Sequence, residues 1–184
     1  RSGTQLLPQD LAILHSQYPN VRVVKEATGS LDNMKLTRRL CGEDFDILSG
    51  DDDRTFTMMT DQEIRASGVI SVVSNVAPCA VKRMTALILE GRIDEATKVA
   101  NDLKPLFEIV TVKTNEVTEF GEVPVKARNP VPYKTLMNVL GMPSGPTRQP
   151  LGRMTKKGLQ VVLEAARKVY ENSPAIFEPL ELFF

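Results

Sequence analysis

The stretch Val21-Arg22-Val23-Val24-Lys25-Glu26-Ala27-Thr28-Gly29 places an amine at the end of a short apolar run. Alternation along an extended chain sets Val21, Val23 and Lys25 on one face and Arg22 and Val24 on the other. A lysine at a strand end commonly just reaches solvent. A lysine enclosed by apolar side chains behaves differently: its charged form is disfavoured, and the neutral amine can attack a ketone and form an imine. Other residues could serve the same chemistry. Gly50, closing Leu48-Ser49-Gly50, would let backbone approach a small ligand. The small residues of Gly68-Val69-Ile70-Ser71 could line the same mouth. Arg1 carries a guanidinium that could grip a carboxylate in a bidentate way, although an isolated arginine is more often solvated.

Other eye-catching residues point away from chemistry. Asp51, Asp52 and Asp53 are consecutive, so their side chains diverge, and helix N-capping suits them better than a metal site. His15 falls on an apolar helical face, as a core or surface histidine. Met58 and Met59 suit a core. Cys41 and Cys79 give neither a disulfide framework nor metal-ligand spacing, and are expected reduced and buried, as in a cytosolic protein.

The elements that must position Lys25 follow from periodicity. Residues 7–19 read as a helix with Pro8 in its first turn, and 21–25 as a strand. Residues 29–42 read as a helix with Ser30 as N-cap and Gly42 as its stop. Strand 45–50, helix 51–64 and strand 68–75 come next. Val21, Phe45 and Val69 start the three strands 24 residues apart. This strand–helix repeat implies right-handed crossovers and a parallel sheet. Beyond Asn75 the pattern turns helical: 78–91, 93–110, 129–142 and 155–172. Residues 111–128 read as loop or a short hairpin. The tail from Ser173 is apolar and proline-interrupted, and is expected to pack.

Composition bounds the rest. The chain has 184 residues, 42% of them hydrophobic, and equal numbers of acidic and basic side chains. Zero net charge with no basic block argues against nucleic acid and anionic membrane as partners. No apolar run approaches the roughly 20 residues that span a bilayer, and no signal peptide is visible. The chain opens on Arg1 rather than Met, as expected for a processed end or an interior piece of a longer polypeptide. Three parallel strands leave two sticky edges, whereas a closed barrel of such units needs eight and roughly 250 residues. A partner segment is therefore expected.

In order and spacing, Val23-Val24-Lys25-Glu26-Ala27-Thr28-Gly29, Leu48-Ser49-Gly50-Asp51-Asp52, the run from Gly68 to Pro78 and Asn129-Pro130-Val131-Pro132-Tyr133-Lys134 resemble the dihydrodipicolinate synthase family of pyruvate-dependent class I aldolases. The first two motifs favour that branch over the sialic acid lyases. The resemblance covers residues 1 to about 141. It implies an α/β fold, a (β/α)8 TIM barrel represented here by its last three strand–helix units (residues 1–91), followed by a C-terminal helical domain with an extended tail (residues 92–184). It implies Lys25 as the lysine that forms a Schiff base with pyruvate, with no separate cofactor and no metal. Ile70 matches the residue whose backbone contacts pyruvate, and Gly50 a glycine at the pocket wall. Arg1 matches the arginine that binds the carboxylate of the second substrate, aspartate semialdehyde, in a cytoplasmic route to lysine. The implied partners are the N-terminal half of the barrel, on the same or another chain, and further copies in a dimer of dimers.

The sequence also departs from the family pattern. The family's first five strands are absent, and with them the catalytic tyrosine and the groups that relay protons. Val23 replaces a glycine, residues 107–129 are extended, and so is the tail. Two other readings follow: a sister pyruvate aldolase with another aldehyde, and a non-catalytic half-barrel that acts in assembly.

Overall fold

The computed structural model describes residues 4–177, so Arg1 lies outside the described residues. Three strands, β1 (Val23–Glu26), β2 (Asp46–Ser49) and β3 (Gly68–Val69), form a parallel sheet in the order β1-β2-β3. Between them run α1 (Pro8–Gln17, ahead of β1), α2 (Leu31–Cys41) and α3 (Asp52–Thr60). The register pairs Val23 with Asp46, Lys25 with Leu48, and Leu48 with Gly68. One face, with Ile47, Ser49 and Glu26, is buried, while Val23, Lys25 and Asp46 on the other face are exposed. These strands are shorter than the sequence suggests. Pairing in the third ends at Val69, because the chain bends after Ile70 and enters a 3-10 turn at Val73–Asn75 that buries Val73.

Local chemistry explains the helix boundaries. Pro8 at the first position of α1 is buried, and Asp10 accepts from the Leu7 amide at 2.8 Å. Ser30 caps α2 by accepting from the Asn33 amide at 3.2 Å, and Gly42 ends it with φ of 82°, a conformation suited to glycine. His15 is structural. Its Nδ1 donates to the Val21 carbonyl at 2.6 Å, and its ring meets Phe45 edge-on with centroids 5.0 Å apart. Phe45, Met34, Ile47, Met58 and Ile64 are fully buried, and Met59 is nearly so, forming the apolar centre.

Arg38, on α2, is a buried cation that the sequence did not single out. Its Nε donates to the Ile64 carbonyl at 3.0 Å. Nη1 donates to Gly42 at 2.8 Å, Phe45 at 2.7 Å and, more weakly, Glu43 at 3.4 Å, and Nη2 to Arg65 at 3.2 Å. These carbonyls lie just ahead of β2 and β3, so one side chain ties the leading segments of two strands to α2.

The chain forms two compact units. The first comprises residues 4–71 and Met84–Thr97, and the second Val72–Arg83 and residues 98–177. Helices α4 (Pro78–Leu89) and α5 (Ile93–Glu108) run from one to the other. The second unit also holds α6 (Val131–Val139) and α7 (Lys156–Asn172). It is not all helical: residues 111–128 form an antiparallel hairpin, β4 (Thr111–Thr118) and β5 (Gly121–Arg128). The buried Tyr133 donates its hydroxyl to the Leu106 carbonyl at 2.7 Å, and Thr155 caps α7 through the Gly158 amide at 3.0 Å. Phe177 is buried, as expected for the tail's start, and residues 178–184 lie outside the described residues. Both cysteines are free. Cys41 is buried, but Cys79 is exposed, because it sits on the solvent side of the first turn of α4.

Lysine in place of Arg38 keeps the charge but cannot reach five carbonyls on two segments, and would leave buried acceptors unmatched. Arg38→Lys is expected to lower stability by about 2–4 kcal/mol, measured by urea denaturation followed by circular dichroism.

Candidate active site

Lys25 is the third of four residues in β1, and its side chain belongs to the exposed face. Gly50 follows β2, and Ile70 follows β3, its amide donating to the Ser49 carbonyl at 2.8 Å. The three residues therefore sit at the C-terminal ends of three adjacent strands. That is where catalytic groups gather in barrels of this class.

Gly50 and Lys25 are in intimate contact. The Gly50 amide donates to the Glu26 carbonyl at 2.7 Å. A Cβ on residue 50 would lie 2.8 Å from the Ala27 Cβ, and 3.0 Å from both the Glu26 carbonyl oxygen and the Lys25 Cε. A side chain there would strike backbone on one side and the lysine stem on the other. Ile70 lies two strands away from Lys25, about 10 Å at the usual strand spacing, and is 45% exposed.

The residues around this contact are fixed by polar bonds that the sequence reading missed. Ser49 points into the buried face and donates to the Asp51 carbonyl at 2.9 Å, while Thr55 donates to Ser49 Oγ at 3.0 Å. This clamps the Gly50–Asp51 turn. Glu26 is buried, with Oε1 accepting from the Thr28 amide at 2.7 Å. Strict alternation through Ile47 and Ser49 was the available signal that this serine faces inward. Asp51 occupies the N-cap position of α3 but makes no side-chain capping bond, contrary to the capping role expected of it. Burial holds its carboxyl above the usual range, reinforced by the negative charges of Asp53, Glu26 and Asp52, with Lys25 opposing.

Lys25 was expected in an enclosing apolar pocket, but in this chain it is exposed. The residues around it line a hollow of about 600 Å³ that includes Thr4, Leu6, Leu11, Val24 and Thr28. Lys25 makes no hydrogen bond or ion pair among the described residues, which leaves its amine available. A second hollow of about 570 Å³ in the other unit contains Lys134, but that ammonium is tied to the Ser144 carbonyl. Of the lysines in these two hollows, Lys25 is the one whose amine is untied among the described residues. Among the described residues no group of three His, Cys, Asp or Glu side chains converges as a metal site, and no helix is long and apolar enough to cross a membrane.

The chain matches the model of the dihydrodipicolinate synthetase family over residues 1–168. It belongs to that family. A 4-hydroxy-tetrahydrodipicolinate synthase of Sulfurihydrogenibium is 37% identical over 169 residues, covering 91% of this chain and 52% of the relative. One from Methanothrix thermoacetophila is 36% identical over 156 residues, 84% of this chain and 47% of the relative. Among solved structures, the synthase of Methylacidiphilum fumariolicum SolV superposes with a TM-score of 0.80 at 28% identity, over 96% of this chain and 53% of that one. The dihydrodipicolinate synthase of Aquifex aeolicus gives 0.76 at 29% identity, over 97% and 54%. The chain thus spans about half the length of the relatives it matches, and it is a partial barrel of this family followed by a C-terminal helical part.

Two outcomes follow from the geometry. Gly50→Ala is expected to cost about 1–3 kcal/mol through overpacking and to change the rate at which an amine reagent labels Lys25, read by peptide mass spectrometry. For Asp51, a carboxyl raised in the folded state favours folding while protonated, and that contribution is lost as pH rises through its folded value. Asp51→Asn is therefore expected to stabilise the chain near neutral pH. The gain should shrink as pH falls through the carboxylate range, which thermal melts across pH would show.

Proposed function

We propose that this chain carries the imine-forming lysine of a 4-hydroxy-tetrahydrodipicolinate synthase, a lyase of diaminopimelate and lysine biosynthesis in the cytoplasm. The observation that carries the reading is Lys25, at the C-terminal end of β1 and unpaired among the described residues, with Gly50 packed against its stem. Membership of the family supports the substrates, pyruvate and aspartate semialdehyde.

The neutral Lys25 amine adds to the pyruvate ketone, and loss of water gives an imine. The imine nitrogen withdraws electrons, a methyl proton leaves, and an enamine forms. Its carbon attacks the aldehyde of aspartate semialdehyde, whose oxygen takes up a proton. The amine of that substrate then adds to the imine carbon and expels Lys25, which closes the ring and frees the enzyme. Gly50 leaves the lysine stem room to reach the ketone. The Ile70 backbone contacts pyruvate, and Arg1 takes the carboxylate of the second substrate. Lys25 carries the substrate covalently, so no separate cofactor is required.

Lys25 lies on an exposed sheet face, open to water, whereas imine formation is favoured where water is excluded. Full reactivity therefore needs the N-terminal half of the barrel, on the same or another chain, to cover the exposed face and contribute the tyrosines of the proton relay. The assembled enzyme is a homo-oligomer, a dimer of dimers.

The test is intact-mass spectrometry after incubation with pyruvate and borohydride, with the upstream half of a family barrel supplied. One reduced pyruvate mapped to Lys25, and absent from Lys25→Ala, is the expected result. No adduct at Lys25 under those conditions would overturn the reading and leave a half-barrel that acts only in assembly. Turnover with aspartate semialdehyde but not N-acetylmannosamine separates the synthase from a sister aldolase.

A further inference from the structure

The β4–β5 hairpin occupies the extended stretch where the sequence departs from the family pattern, and the mechanism above does not use it. Its two faces differ. On the inner face Val112 is buried, and Glu116 accepts from Thr155 at the start of α7 and from Thr114, both at 2.7 Å. The outer face carries Thr111, Lys113, Asn115 and Val117 on β4, paired with Arg128, Lys126, Pro124 and Glu122 on β5.

Charge on that outer face is sorted along its length. At the root Lys113 lies directly opposite Lys126, with Arg128 on the diagonal. Like charges so placed repel. Among the described residues none of the three has an ion-pair partner. At the tip stand Glu122 and, in the turn, Glu119, also unpaired among the described residues. Beside them Val117 is 78% and Phe120 90% exposed. Among the described residues, the root is a cationic patch without an anion, and the tip an anionic, apolar patch without cover.

We propose that this face is a two-fold interface for a second copy of this chain. A two-fold axis through the Asn115–Pro124 rung lays each root on the other tip. Lys113 and Lys126 then meet the partner's Glu122 and Val117, and Arg128 meets the turn with the partner's Glu119 and Phe120. Both patches are satisfied at once, as a self-complementary interface requires. An unrelated partner would not need both signs in mirrored order on one face, and a nucleic acid would find half of it repulsive. The hairpin is about 27 Å long at the rise of an extended strand, so the contact is small and, resting on exposed charges, sensitive to salt.

The experiment is sedimentation of the chain across concentration at low and high salt, with Lys113→Glu/Lys126→Glu as one variant and Glu119→Lys/Glu122→Lys as another. Circular dichroism confirms that both variants fold. Salt-sensitive self-association is expected in the parent chain, weakened about tenfold or more in each variant, and recovered when the two variants are mixed, since every patch then faces its opposite. A parent chain that does not self-associate at low salt would overturn the proposal. So would association unchanged by both variants, or a loss that mixing does not recover.

Discussion

The first unit depends on one buried guanidinium. Arg38 has no ion-pair partner among the described residues and spends its donors on five carbonyls just ahead of β2 and β3. A buried cation is costly unless its hydrogen bonds are met, and those bonds are met only when the two leading segments are at the right height against α2. Strand register follows: Leu48 beside Lys25, Gly68 beside Leu48. Register in turn brings Gly50 against the lysine stem at the far end of the sheet. A contact outside the site therefore helps to set its geometry.

Much of this was legible in the residues. The spacing of Val21, Phe45 and Val69 marked the strand–helix repeat, and Ser30 and Gly42 marked both ends of α2, because capping is local chemistry between near neighbours. Lys25 and Gly50 could be singled out because strand ends and glycines carry their signals in the sequence itself. Arg38 could not, since its partners Ile64 and Arg65 are more than twenty-five positions away and offer only backbone carbonyls, which every residue has. The length of β3 was misread because the valines after Ile70 favour a strand, while burial of Val73 is achieved in a turn. Asp51 misled for the opposite reason: its type and position suit a cap, but its carboxyl lies in a crowd of other acids.

The two units divide their tasks. The first presents a lysine on a sheet face that, in the proposed enzyme, another layer covers. The second adds a hairpin whose inner face is tied to α7 and whose outer face is unsatisfied. Among the described residues, one surface has no apolar lid and the other no counter-charges.

The two thiols have a practical consequence. Cys79 is exposed, while Cys41 is buried and its thiol is pushed up by that burial despite the nearby Arg38 charge. Thiolate is the reactive form, so a chromogenic thiol reagent added to the folded chain at neutral pH consumes one equivalent promptly. The second equivalent is released only as the unit around Arg38 opens. The chain thus has a built-in clock for local unfolding, whose ticks can be counted in an ordinary spectrophotometer without introducing any label.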